Sequence, residues 1–227
     1  MCSRAGNGWS AMKRKEKLFN RLLTEPERAK YEHMRQRRKE NEQSLRASLK
    51  GHLSTLNDGV MAIIITVMLL EIPFPTSSEG YGAFLWAILI FLVSFFVVAG
   101  FWYDNKRAFE LIREVDHPVM IVNFLFLAIV SLIPVMTKWI MRETTAFSVL
   151  NYGIVHMAAL LLGEILYMVI VRKRFQGHGG LLAKLMLSKM GLILAMNVAL
   201  MLLGWFFPRP VVILYVMLPI LRFLLPG

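Results

Sequence analysis

The sequence predicts an all-α polytopic membrane protein with six transmembrane helices and a basic helical N-terminal arm. Three observations lead there. Of the 227 residues, 56% are hydrophobic and 18% are charged, with a mean hydropathy of +0.54, which an ordinary soluble domain does not reach. The apolar residues lie in long blocks of the length needed to cross about 30 Å of hydrocarbon at about 1.5 Å per residue. Those blocks are continuously apolar and lack the alternation of a lipid-facing barrel strand.

The arm comes first. Residues 1–50 carry 14 of the 26 basic residues and 6 acidic ones, a net charge of +8. From Met12 to Lys50 the chain is rich in Lys, Arg, Glu, Gln and Leu, residues that helices tolerate or favour. Glu25–Pro26–Glu27 marks a break, and Pro26 suits the first turn of a second helix. Before it, Leu18, Phe19, Leu22 and Leu23 form a short apolar stripe. A solvated extension that enforces topology is the simpler reading of this stripe, and an amphipathic helix on the anionic inner leaflet or a contact between subunits is the alternative. The first apolar run follows some 50 hydrophilic residues, so no signal peptide is expected. The single cysteine, Cys2, excludes an internal disulfide within one chain.

Six apolar blocks follow, making residues 51–227 the membrane domain: Leu53–Ile72, Ala83–Tyr103, Pro118–Thr137, Ala146–Val171, Leu185–Phe207 and Val211–Leu225. The last is the shortest and contains Pro219 and Arg222. The basic residues sort the loops. Lys106, Arg107 and Arg113 follow the second block, and Arg172, Lys173, Arg174 and Lys184 follow the fourth. The opposite loops hold Lys138, Arg142 and Arg209. The positive-inside rule then puts both termini in the cytoplasm of a multi-pass protein of the cell membrane. Topology accounts for most of the +11 charge, and no nucleic-acid partner is expected.

Enzyme chemistry finds no support: no His, Cys, Asp and Glu cluster has metal spacing, no nucleophile motif is present, and no cofactor is expected. Gly80–Tyr81–Gly82 looks like a potassium-filter triplet, but it lacks the Thr-Val lead and the pore helix a filter needs. Gly177–His178–Gly179–Gly180 has neither the preceding strand nor the spacing of a phosphate loop. Ionisable and polar residues inside the spans carry more information, because each costs a few kcal/mol unless paired or hydrated. Glu164 and Lys189 match in depth on neighbouring spans, and so do His156 and Asn197. Structural polar contacts between helices are the simpler reading, and a proton or ion relay is the alternative.

The first block carries a resemblance. It reads His52–Leu–Ser–Thr–Leu56–Asn57–Asp58–Gly59 and continues through Ala62, Ile63, Thr66, Val67, Leu70, Glu71 and Ile72 to Pro73. This resembles the opening of the transmembrane protein 175 family of potassium channels: Arg-x-x-x-Phe-Ser-Asp, a small residue, an apolar run with Ala-Ile and Thr, then Leu-Glu-Ile before Pro. Asp58, Gly59, Ala62, Ile63, Thr66, Leu70, Glu71 and Ile72 are in register. His52, Leu56 and Asn57 depart from the pattern. Trp102–Tyr–Asp–Asn–Lys–Arg–Ala–Phe109 resembles the family's second-helix end, with Asn105 and Lys106 where a His pair is common. Asn123–Phe–Leu–Phe–Leu through Leu132–Ile–Pro134 resembles the third helix. Topology agrees across nearly all of residues 50–227, and residues 1–49 lie outside the resemblance.

The resemblance implies a passive, potassium-preferring channel, a homotetramer whose four first helices line one pore for monovalent cations. Ile63 would form the tightest ring, with Thr66, Val67 and Leu70 on the same helical face. A ring of isoleucines blocks ions by dewetting. Asp58 and Glu71 would concentrate cations at the inner and outer mouths. His52 would stand in for the missing Arg near Asp58 when protonated, which suggests pH-dependent gating or stability. Two rival classes stay open. One is a small secondary transporter with Glu164, Lys189, His156 and Asn197 as its coupling site. The other is a non-conducting membrane scaffold whose arm recruits a partner.

Overall fold

The computed structural model describes the backbone of residues 24–75, 77–112, 114–174 and 179–215. It describes their side chains except at 47, 172–174, 179–187, 189, 190 and 193. Every element among these residues is helical: α1 (Glu25–Leu70), a single 3-10 turn (Ser78–Gly80), α2 (Tyr81–Glu110), α3 (His117–Val130), α4 (Ile133–Arg142), α5 (Ala146–Arg174) and α6 (Gly179–Phe206), then α7 over residues 208–215. The chain divides into two compact units, Met1–Ser48 and Leu49–Gly227.

In the first unit, the Thr-Glu-Pro-Glu sequence starts α1 as a capping box. The Thr24 amide donates to Glu27 Oε2 at 2.9 Å and the Thr24 hydroxyl does so at 2.7 Å. Pro26 sits in the first turn, where no N–H is needed. These side-chain and backbone bonds from Thr24 hold the Glu27 carboxyl below its ordinary value of 4.5. A lowered pKa stabilises the turn above the unfolded value and ceases to do so as pH falls through the folded one. Protection of the Thr24 and Arg28 amides, which bond Glu27 Oε2 and the Thr24 carbonyl, is therefore expected to stay constant above pH 4.5 and to fall at lower pH. Glu27→Gln should abolish that dependence. The Leu18–Leu23 stripe lies outside the described residues.

The second unit is a helix bundle. Four helical stretches are long and apolar enough to cross a membrane: α1, Ser78–Glu110, His117–Arg142 and Ala146–Val171. They overlie the first four expected blocks. α6 covers the fifth block and is apolar over Leu194–Phe206. The sixth is helical to residue 215 and otherwise lies outside the described residues. Gly80 belongs to the 3-10 turn and Tyr81 opens α2, so the Gly-Tyr-Gly triplet forms no carbonyl-lined filter within this chain. Residues 177 and 178 of the second glycine-rich stretch lie outside the described residues.

Expected block Pro118–Thr137 is two helices. α3 stops at Val130 and α4 begins at Ile133, with Pro134 in its first turn. Proline brings no N–H and crowds the carbonyl four residues back, here that of Val130, the last residue of α3. The Ser131 hydroxyl takes up the Leu127 carbonyl at 2.8 Å.

α5 is the centre of the bundle and packs against α2, α3, α4 and α6. A reciprocal Thr145–Ser148 cap starts it: each amide donates to the other's hydroxyl, at 3.0 and 3.2 Å. Close approach to its neighbours needs glycine. A Cβ on Gly153 would lie 2.6 Å from Met201 Cγ and 2.7 Å from the Tyr215 hydroxyl, and one on Gly204 would lie 2.9 Å from Val149 Cγ1. Such close passages are a common basis of helix packing in lipid, where apolar burial between helices contributes little.

The buried apolar residues form two clusters. The larger includes Met61, Ile64, Met68, Ile90, Phe101 and Phe126. The smaller includes Leu53, Ala108, Phe109, Val119, Leu166 and Ile170. Both draw on one face of α1, through residues 53, 61, 64 and 68.

Candidate functional site

Residues 49–70 of α1 have two faces. Leu53, Asn57, Met61, Ile64 and Met68, spaced four, four, three and four apart, are buried by other helices of the same chain. That spacing follows one side of a 3.6-residue helix. The other side carries Leu56 at 43% exposure, Ile63 at 62%, Val67 at 39% and Leu70 at 83%. Thr66 shares this exposed face, and its hydroxyl donates back to the Ile63 carbonyl at 2.9 Å. The bundle thus leaves the Ile63–Thr66–Val67–Leu70 stripe uncovered and grips the helix from behind.

The grip is polar at three levels. Where the two apolar clusters meet, Asn57, Asn105 and Asn123 bring three carboxamides together from α1, α2 and α3, all buried. Asn57 Nδ2 donates to Asn105 Oδ1 at 2.7 Å and to Asn123 Oδ1 at 3.1 Å. Asn105 Nδ2 donates to Asn123 Oδ1 at 3.1 Å, and Asn123 Nδ2 donates to Asn57 Oδ1 at 2.8 Å. The ring is closed: every carboxamide gives and receives at least one bond, as burial in an apolar surround demands.

Asp58 follows Asn57 and so points about 100° further round the helix. There it meets α2, where Trp102 and Lys106 stand one turn apart. Trp102 Nε1 donates to Asp58 Oδ1 at 2.8 Å and Lys106 Nζ to Oδ2 at 2.9 Å, with Lys106 also reaching Ser54 Oγ at 3.2 Å. The expected His52–Asp58 contact is not formed. His52 is exposed, and six helical residues put two side chains on different faces of α1. The cation beside Asp58 therefore comes from the second span. Both partners are about 40% exposed, so solvent screens the pair. Lys106→Met is expected to cost at most about 1 kcal/mol, read as a small fall in melting temperature that vanishes in high salt.

At the other end, Glu71 Oε2 lies 2.6 Å from Lys138 Nζ of α4. Thr137, next to Lys138, has its hydroxyl 3.7 Å from Met68 Sδ. Asp58 and Glu71 thus each have a lysine of their own chain as nearest countercharge.

Of the other expected residues, His156 and Asn197 come together: Asn197 Nδ2 and His156 Nδ1 are 2.6 Å apart and both residues are buried. Phe101, Tyr152 and Tyr215 surround the imidazole, with ring centroids 5.5, 6.4 and 5.4 Å away. Glu164 is half-buried on α5, and the Lys189 side chain lies outside the described residues. Among the described residues, no three His, Cys, Asp or Glu side chains gather as a metal site.

Sequence reasoning alone does not single out Asn105, Asn123, Trp102 and Lys106 as site residues. A signal is present, since each asparagine interrupts an apolar helical face. What the sequence does not reveal is that the three interruptions meet.

The family model described as "Endosomal/lysosomal potassium channel TMEM175" matches residues 52–134, which hold all three asparagines, Asp58, Lys106 and the exposed stripe. A potassium channel of Chryseobacterium sp. (strain P1-3) is 33% identical over 126 residues, covering 54% of this chain and 66% of the relative. A potassium channel of Streptomyces collinus is 33% identical over 92 residues, covering 37% of this chain and 44% of the relative. The matches thus span about two thirds of the first relative and under half of the second. The crystal structure of a lysosomal potassium-selective channel TMEM175 homolog from Chamaesiphon minutus superposes with a TM-score of 0.57 at 21% identity, covering 77% of this chain and 98% of the other. That likeness is one of fold. With a multi-pass helical architecture and the matched first three spans, the chain belongs to the TMEM175 family of potassium channels.

Proposed function

We propose that the protein is a potassium-preferring cation channel: a homotetramer of six-span chains whose four α1 helices line a central pore. Both termini lie in the cytoplasm of the cell membrane, with the basic arm of residues 1–50 preceding a channel domain of residues 51–227. The observation that carries this reading is the uncovered stripe of Leu56, Ile63, Val67 and Leu70 on a helix whose opposite face is fixed by its own chain. Four such stripes around one axis make a hydrophobic pore with Ile63 at the constriction, where a narrow apolar ring expels water and stops ions. Thr66 adds a hydroxyl ring one turn away.

The three polar grips act in this scheme as positioning contacts. The asparagine ring fixes the rotation of α1, and the Asp58–Lys106 and Glu71–Lys138 pairs fix its two ends. Opening then requires α1 to move together with α2, α3 and α4, or to break one of these contacts. Conduction is passive and needs no cofactor. The test is potassium efflux from proteoliposomes of the purified full chain. Flux far above carrier turnover supports the channel. Slow, saturable flux would favour a transporter, and no flux from folded protein would favour a scaffold.

A further inference from the structure

We propose that residues 34–45 of α1 pack against the same segment of a second copy of the chain, parallel and in register. The inference rests on the homotetramer proposed above, which supplies the second copy. Met34, Arg37, Arg38, Asn41, Glu42 and Leu45 line one groove along the helix surface, and all six are exposed. They divide into two overlapping sets, 34–37–38–41 and 38–41–42–45, each spaced i, i+3, i+4 and i+7. Four residues so placed form the hole into which a facing helix inserts one knob.

Read as heptads, Tyr31, Arg38 and Leu45 take position a, and Met34 and Asn41 take position d. A parallel copy in register inserts its Arg38 into the first hole and its Asn41 into the second, between apolar layers at Met34 and Leu45. Met34 is 55% and Leu45 61% exposed, so both gain by being covered. Polar side chains in the middle layers cost stability and fix the register. At the flank, Arg37 at position g faces Glu42 at position e of the copy, a pair of opposite charge. Glu42 Oε1 also lies 3.4 Å from Arg38 Nε of its own chain, which keeps a carboxylate beside the guanidinium in the seam. One heptad earlier, Lys30 would face Arg35, a like pair. The contact is therefore confined to residues 34–45.

Charge favours a second copy over a lipid surface. Residues 25–48 hold seven basic and five acidic residues, a net charge of +2, whereas residues 1–23 hold six and one. An anionic bilayer selects a strongly basic segment with a continuous apolar face. Here Arg38 and Asn41 interrupt the apolar line. So few apolar layers do not hold free helices together. Tethering within one tetramer raises the effective concentration of the arms to the order of millimolar, where a weak seam forms.

Cysteine pairing tests the seam on the full chain in phosphatidylcholine vesicles, with Cys2→Ser as background. Under mild oxidation Leu45→Cys should form covalent dimers about tenfold faster than Gln43→Cys, which lies on the opposite face of the helix. Arg37→Glu should slow the Leu45→Cys reaction about threefold, and adding Glu42→Arg should restore it. Glu42→Arg also gives up the bridge to Arg38, which is exposed and contributes little. Native mass and potassium efflux are measured on the same samples. A conducting tetramer with equal rates at positions 43 and 45, or without rescue by the charge swap, would overturn the seam and leave the channel standing. So would a Leu45→Cys reaction abolished by adding phosphatidylglycerol, since the helix would then prefer lipid. A monomer without flux would remove the homotetramer itself, and the seam with it.

Discussion

Potassium efflux from proteoliposomes is expected to rise at least about tenfold when Ile63 is replaced by Asn, equivalent to about 1.4 kcal/mol off the barrier to permeation. The carboxamide holds water where the isoleucine excluded it, so an ion crossing the ring keeps part of its shell. The substitution is favourable ground for such a test because Ile63 is 62% exposed in its own chain. A polar group there leaves the core of the bundle untouched, and the fold should survive. Ile64, one residue on, is the control. It is 4% exposed and belongs to the larger apolar cluster. Ile64→Asn should destabilise the protein by about 2–4 kcal/mol without raising flux. If Ile63→Asn and the parent protein both conduct at the same rate, the constriction lies elsewhere on the stripe, with Val67 and Leu70 next to be tested. If neither folded protein conducts, the channel reading fails.

The division of α1 into a gripped face and a bare one is partly legible in the sequence. Residues 63, 66, 67 and 70 share one face by helical count alone. An apolar helix nevertheless contains several such faces, and composition cannot tell lipid, core and pore apart when all three accept isoleucine. Burial settles which face the chain itself uses. The extents of the first four spans are also legible, because hydrocarbon thickness fixes how long an apolar run must be. The break between Val130 and Ile133 does not follow from Pro134 alone, since membrane helices often carry proline without stopping. Lys106 gives a local hint of its role by standing four residues after Trp102. Its partner, 48 residues earlier, depends on how α1 and α2 are rotated against each other. His52 misleads for a related reason: nearness in sequence suggests a contact that helical geometry forbids.

The asparagine ring carries the second large effect. Asn123→Ala removes the donor to Asn57 Oδ1 and the acceptor of Asn105 Nδ2, and takes one of the two acceptors from Asn57 Nδ2. Two buried polar atoms lose their partners, at about 1–3 kcal/mol each, and the missing side chain leaves a hole between the apolar clusters. A loss of about 3 kcal/mol is expected in total, a large share of the roughly 5–15 kcal/mol that holds a typical protein folded. Trp102, next to the ring on α2, offers a fluorescence signal for the unfolding curve. The cost should be strongly non-additive. Once Asn123 is gone, Asn57→Ala removes a group already half orphaned, so the double variant should be more stable than the sum of the two single losses predicts, by at least about 1 kcal/mol. Lys106→Met should instead add independently, because Asp58 faces away from the ring. A drop of under about 0.5 kcal/mol for Asn123→Ala, within the ordinary scatter of surface substitutions, would mean that the three carboxamides share a space without holding α1. Its rotation would then rest on Met61, Ile64 and Met68 alone. The side of α1 that carries Ile63 would then be set by the burial of those three residues on the other face.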